Sequence, residues 1–365
     1  MTQNKDILDL IIIGAWPSGL FACLQLQKHS KLSLNNTLLL EKQSLPAQKL
    51  LLSAKWRWNV TNLHADETHY FPQNHPFVNE VFSRYWVSDF CHFLEESHLS
   101  FHEEDFWRII LDQWVKSFHQ FLLDEIYNHN IPFHTEEFPL WISKSDGIFS
   151  VKTNRAHYFS KNILIATGSR SVPSLWSTDF ATQIAQQFHL HYEPFYPALV
   201  WFETEKDLSS LSWSSLIATC EIWDHHRKLF QQTGPILFTH WGISGPVIFN
   251  ASLRIKNPDH QDFLECTLII EKQHITKRFL QYLHFRENKL PKYFFHTNIV
   301  KKRSFDEAKV CWWWILLEEL TPFFECKHVP GLFFIWESVH LTWETWWFNL
   351  QWCRSSAFCF SEKFC

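Results

Sequence analysis

Glycine is scarce in this chain. It has 8 in 365 residues, where an average usage of about 7% would give roughly 26. It has one methionine, against 20 tryptophans and 35 phenylalanines. The net charge of −5 supplies no overall basic surface of the kind nucleic-acid binding uses. No stretch reaches the roughly 18 apolar residues of a membrane span. The first largely apolar run is short and follows MTQNKD, which is not the pattern of a secretory leader. Nine cysteines stand singly, without a C-x-x-C pair, and so indicate neither a zinc site nor a disulfide framework. What remains is a chain of cytoplasmic type, with no membrane or nucleic-acid partner expected, long enough for two or three packed units.

The positive content begins with Ile7–Gly19, ILDLIIIGAWPSG. Ile7–Ile13 is apolar and β-branched apart from Asp9 and Leu8 and Leu10, a run suited to a buried parallel strand. It leads into Gly14, Ala15, Trp16, Pro17, Ser18 and Gly19, and LFACLQLQKHS then has a helical pattern. Strand, tight turn and helix form the context of a dinucleotide fingerprint. Its first Gly makes the turn, its second lets backbone meet a diphosphate, and its third lets helix pack on strand. The helix N-terminus would then receive the anion. The second of these positions is Trp16, whose indole would fill the space a diphosphate needs. A second strand, Thr37–Glu41, ends in a carboxylate 27 residues past Gly14. An acid there accepts hydrogen bonds from ribose hydroxyls.

From Lys49 onward the chain carries a series of ordered motifs. KLLLSAKWRWNVTN (49–62) resembles a KLLxSGxGRxNVTN segment. EEDFWR (103–108) is similar to EEDxGR, and ILIATG (163–168) to a strand-then-ATG element. SVP with LWST (171–178) is similar to SYPxLGST, and LFTHWGISGP (237–246) to LFTHxGISGP. VPGLFFIWE (329–337) resembles VPGLFFAGE, and WETWWFNLQW (343–352) resembles GETGGYNLQW. On these segments the chain resembles, over nearly its full length, the aminoacetone-oxidase-like flavoproteins, the YhiN/BaiN-type family of FAD-dependent NAD(P)H oxidoreductases.

The resemblance implies an α/β fold. A Rossmann-like, glutathione-reductase-like three-layer FAD/NAD(P)-binding domain would span 1–194 and 324–365, with a small β-barrel plus helical domain inserted at 195–323. It implies bound FAD, with NAD(P)H as a transient electron donor and a small molecule as substrate. Gly14 to Gly19 would hold the diphosphate and Glu41, beside Lys42, the ribose. Ser53, Arg57, Asn59 and Thr61 would line the flavin, with Lys49 nearby. Phe138 would stand by the adenine and Ala166, Thr167 and Gly168 would close over the cofactor. Trp336, Glu337 and Asn349 would complete the site. His240 is the candidate proton-handling group, because histidine titrates near neutrality; holding a hinge between domains is the alternative role. The family's DVDG is replaced here by His340, Leu341, Thr342 and Trp343, so two acids are missing. Within the insert, Ala198–Phe202 and Thr219–Trp223 read as strands, and 271–290 reads as helix.

The same alignment explains the composition. Trp16, Trp56, Trp107, Trp176, Trp213, Trp336, Trp343, Trp346 and Trp347 stand where the pattern has Gly, Trp312 to Trp314 fall on a Gly-rich segment, and Trp352 matches a family Trp. One reading is that UGA encodes glycine in this gene and has been written as tryptophan. Returning about a dozen to sixteen residues gives roughly 20 to 24 Gly, near ordinary usage. The other reading is a decayed gene whose product is inactive. Fold does not fix function, so a non-redox flavin scaffold and a role in RNA modification stand as alternatives to the oxidoreductase.

Overall fold

The structure, a computed structural model, describes residues 7–52, 58–72, 75–104, 107–170, 179–255, 264–285, 287–344 and 346–365, without the side chains at 49, 52, 58, 194–195, 312–314 and 346–347. It divides into two units, Met1–Phe195 with Trp313–Cys365, and Tyr196–Trp312. Residues 313–323, expected in the insert, therefore belong to the first unit. There the carbonyl of Ile315 accepts the amide of His340 at 2.8 Å, and Ile315, Leu317 and Leu320 are buried.

The first unit is built on a seven-stranded mixed sheet. We number its strands β1 (Ile7–Ile13), β2 (Thr37–Leu40), β3 (Phe133–His134), β4 (Pro139–Ser145), β5 (Ile148–Thr153), β6 (His157–Ile165) and β7 (Leu332–Phe334). Their order is β3-β2-β1-β6-β5-β4, and β7 also pairs with β6. The β1–β2, β1–β6, β2–β3 and β6–β7 ladders are parallel. The first half of β6 pairs antiparallel with β5, from His157 to Ser160, and its second half pairs with β7 from Ile163 to Ile165. Burial on both faces accounts for the apolar second half of β1, Leu10–Ile13, in which Leu10, Ile11 and Ile12 are fully buried. The one acid of β1, Asp9, accepts from Lys161 Nζ at 2.7 Å and Asn36 Nδ2 at 2.9 Å.

Two helices bear on the site. Helix α1 (Pro17–His29) begins with Pro at its first position, where no intrahelical N–H is required. It ends with Lys28 and His29 in the last turn, the sign that favours a helix C-terminus. Helix α2 (Trp346–Glu362) is the last element of the chain and packs beside α1. No helix of the described residues is long and apolar enough to cross a membrane.

The second unit contains a closed six-stranded barrel, in the order Phe202–Thr204, Gly242–Ser244, Arg227–Phe238, Ser215–Asp224, Leu264–Glu271 and Lys292–Lys302. Alternate residues fill its interior: Leu216, Ala218, Cys220 and Ile222 on one strand, and Leu264, Cys266, Leu268 and Ile270 on its neighbour. Two local expectations are corrected here. Ala198–Phe202 is not one strand: one strand ends at Ala198 and another starts at Phe202, with Leu199 between them at a φ of 50°. The helix expected over 271–290 is limited to Lys277–Tyr282, after a single 3-10 turn at Lys272–His274. Thr276 Oγ1 starts it by accepting the Phe279 amide at 3.2 Å, and the chain turns out of it at His284, whose φ is 60°.

Candidate functional site

The C-terminal ends of β1, β2 and β6 converge on one cavity of about 360 Å³. Ligands of open α/β sheets bind at such strand ends. Gly14 leaves β1 at a φ of 105°, and a Cβ on it would lie 2.7 Å from the carbonyl oxygen of Ala166. A Cβ on Gly19 would lie 2.0 Å from the carbonyl oxygen of Gly14. No other residue fits either place, so the turn and the first helical turn are held flush against the strand end. The Gly14 amide bonds to Leu40 O at 2.8 Å and the Ala166 amide to Ile13 O at 2.9 Å.

Glu41 sits where β2 ends. Its Oε2 accepts the Ala15 amide at 2.8 Å and its Oε1 the Gln43 amide at 2.9 Å. Burial pushes its carboxyl above the usual range, against the opposing pull of these amides and of Lys42. Lys42 Nζ lies 5.5 Å from the centre of the Phe138 ring, and both line the cavity with Gly14, Trp16, Glu41 and Thr167.

Several wall residues escaped the sequence reading. Asp179, Phe180 and Gln183 enter from a short helix (Phe180–Gln187), with Gln183 Nε2 donating to Asp179 Oδ1 at 2.9 Å. Glu137 is buried and accepts from Thr153 Oγ1 at 2.6 Å and His134 Nδ1 at 2.9 Å. Burial would raise its carboxyl; the hydrogen bonds from Thr153, Tyr158 and His134 outweigh that and hold it low. No periodicity marks these residues. The available signal was that Glu137 adjoins Phe138.

The C-terminal segment supplies a buried polar chain. Ser169 Oγ donates to Glu337 Oε2, Asn349 Nδ2 donates to Glu337 Oε1 at 2.8 Å, and Trp336 Nε1 donates to Asn349 Oδ1. Thr61 Oγ1 donates to Gln351 Oε1 at 2.8 Å, tying the strand Trp58–Asn62 to α2.

Two indoles crowd this region. Trp16 is 8% exposed and its ring centre lies 6.1 Å from that of Trp336. Trp336 is buried at a φ of 60°, and a Cβ on Gly168 would be 3.1 Å from its Cζ3. Beside Trp16, Ser18 Oγ and Thr167 Oγ1 are buried without a hydrogen-bond partner, and so are both amide atoms of Asn59 on the strand Trp58–Asn62. Such groups are costly unless something satisfies them. The glycine cradle, the Glu41 carboxylate and these orphaned atoms fit a dinucleotide; the indoles at 16 and 336 do not.

Ala15, Pro17, Ser18 and Ala166 are buried beside the cradle. His240 is exposed in the second unit and does not line the cavity. Ser53, Arg57 and the Lys49 side chain lie outside the described residues.

Comparison with known proteins adds four findings. The sequence model of the family described as "HI0933-like protein Rossmann domain" matches residues 8–363. A Haemophilus influenzae protein named "Ribosomal RNA dihydrouridine synthase" is 32% identical over 249 residues, 66% of this chain. An Escherichia coli protein of the same name is 29% identical over 246 residues, 67% of this chain. Each match spans 60% of the relative's length. Among solved structures, the open conformation of a flavocytochrome c3 fumarate reductase aligns with 99% of this chain and 79% of its own, at 11% identity and a TM-score of 0.49.

Proposed function

Because the chain belongs to the HI0933-like Rossmann family, we propose that it is an FAD-dependent oxidoreductase whose cofactor lies along the ends of β1, β2 and β6. The observation that carries this reading is the pair of buried, unpartnered hydroxyls on Ser18 and Thr167 at the Gly14–Gly19 cradle. The first turn of α1 holds the diphosphate with backbone N–H groups. Glu41 takes the ribose, and Phe138 and Lys42 flank the adenine. Asn59, Thr61, Ala166, Thr167, Gly168, Glu337 and Asn349 serve the flavin side. The flavin supplies the redox chemistry; the protein binds it, orients it and keeps water from it. NAD(P)H is the electron donor the family resemblance implies.

The reading requires glycine at 16 and 336, and we propose that UGA-encoded glycine stands at the tryptophans aligned with family glycines. Backbone geometry supports this. Trp107, Trp213 and Trp336 have φ of 58°, 65° and 60°, and no other tryptophan of the described residues has a positive φ. All three belong to the aligned set. A bulky side chain in this region is an outlier, and glycine is its ordinary occupant. With glycine at 336, Asn349 Oδ1 loses its indole donor and is released to a ligand.

A second reading concerns the acceptor. The name of the two relatives points to a uracil base in ribosomal RNA rather than a small molecule. One observation favours it: Tyr196–Trp312 holds 15 Lys and Arg against 12 Asp and Glu, net +3, in a chain of net −5, so the remainder carries −8. The chain-wide charge conceals a basic second unit, and such asymmetry suits a nucleic-acid partner.

The test is to express the full chain with glycine at the aligned positions, record its absorbance, and add NADH or NADPH without oxygen. A yellow protein bleached by a nicotinamide supports the oxidoreductase; a yellow protein inert to both makes it a flavin scaffold. A folded, colourless protein overturns the FAD reading. Dihydrouridine formed in added ribosomal RNA selects the second reading, and its absence with an active flavin returns the acceptor to the small molecules.

A further inference from the structure

Helix α2 carries a cation that the site described above does not use. Arg354 is 4% exposed. Its guanidinium carbon lies 3.4 Å from the centre of the Phe90 ring, its Nη2 donates to the carbonyl of Val60, and its Nε has no partner. Among the described residues no carboxylate pairs with it. Burial pulls its pKa down to about 10, so it is charged at neutral pH. An unpaired buried charge is among the costliest features a fold can hold.

The neighbours of Arg354 indicate where the opposite charge belongs. Arg354 shares a small apolar cavity with Pro17 and Phe21 of α1 and with Leu50, Phe118 and Leu122. Pro17 is the first residue of α1 and follows Trp16 directly. The first turn of a helix presents unsatisfied N–H groups and the positive end of its dipole. Arg354 and the first residue of α1 thus line one small cavity, and none of the described residues that line it with them is acidic.

We propose that Arg354 is a buried counter-charge for the diphosphate of the dinucleotide, acting across the first turn of α1 without touching it. This rests on the FAD reading above. The apo-protein then carries an uncompensated cation, and cofactor binding supplies the missing negative charge. Removing the cation should have opposite effects on the two states: the apo-protein gains stability and the holoprotein loses affinity. A merely structural arginine would lose stability in both.

The experiment uses the full-length, flavin-binding form of the chain, with R354M and R354K. Thermal midpoints are measured on apo-protein, and FAD, ADP and riboflavin are titrated by fluorescence. We expect R354M to raise the apo midpoint and to weaken FAD and ADP about tenfold, leaving riboflavin, which has no phosphate, unchanged. R354K keeps the charge and should hold FAD affinity near that of the parent. An R354M protein that is less stable without cofactor, or that fails to fold, overturns the proposal. So does unchanged FAD and ADP affinity in a folded R354M. If the parent binds neither FAD nor ADP, the cofactor reading itself has failed and this proposal falls with it.

Discussion

The carboxylate of Glu41 accepts the backbone amide of Ala15 at 2.8 Å, so the acid at the end of the second strand fixes the turn that follows the first. The same side chain takes the Gln43 amide at 2.9 Å. Truncating it in E41A strands two amide donors, one of them buried. The buried Ala15 amide should cost about 1–3 kcal/mol and the part-buried Gln43 amide, which water can reach, less, read as a lower denaturant midpoint. FAD affinity should fall as well, because both the proposed ribose acceptor and the shape of the turn are lost. An E41A protein with the parent's midpoint and affinity would remove Glu41 from the site.

The tryptophans should separate into two classes on substitution. Trp352, fully buried, packs against Tyr70, Phe82 and Phe324; W352G should destabilise by about 3–5 kcal/mol, the ordinary loss for a large core side chain. The double variant W16G/W336G loses packing too, but opens the cradle and should bind flavin where the tryptophan form does not. Absorbance after addition of FAD and gel filtration distinguishes them. Flavin retained equally by the tryptophan form and the double variant would contradict the steric argument.

Trp213 gives a cleaner reading of backbone strain. It is 80% exposed and has a φ of 65°, so its removal costs little packing. The left-handed conformation costs an L-residue about 1–2 kcal/mol, and the added entropy of glycine takes back about 0.5–1 kcal/mol. W213G should therefore stabilise the second unit slightly, by about 0.5–1 kcal/mol, seen as a higher thermal midpoint. A lower midpoint would mean that the indole has a contact that matters.

Lys302 sets a pH dependence for the second unit. It is buried, donates to Ser252 O and Ile255 O at 2.8 Å each, and burial draws its pKa down to about 7. In the unfolded chain a lysine keeps its proton to about 10.4. Between these values the unfolded chain binds more protons than the folded one, so stability rises as pH goes from about 7 to about 10 and is lost as pH falls back toward 7. K302M should flatten that rise. Thermal midpoints of both proteins at the two ends of the window provide the check, and parallel profiles would refute it.

How much of this was legible in the sequence depended on range. Ile7–Gly19 could be read because strand, turn and helix are consecutive and each leaves a local mark. Glu41 and Phe138 came from fold-level spacing and resemblance, and both line the cavity. Asp179, Phe180 and Gln183 were missed, because a short helix distant in sequence folds over the strand ends with nothing local to announce it. Arg354 was missed for a different reason: its charge is notable only once Phe90, Val60 and Pro17 are known to surround it. The helix expected over 271–290 was overextended, since polar and aromatic residues mixed at helical spacing do not show where the chain turns at His284.

The central claim is steric: position 16 carries no side chain in the protein that binds the dinucleotide. The direct measurement is the mass of the peptide spanning Ala15 to Gly19, taken from the polypeptide purified from its own cells with its absorbance spectrum recorded beforehand. The account predicts a glycine mass at position 16 in a protein with a flavin spectrum. A tryptophan mass there, in a protein that still carries bound flavin, would contradict it.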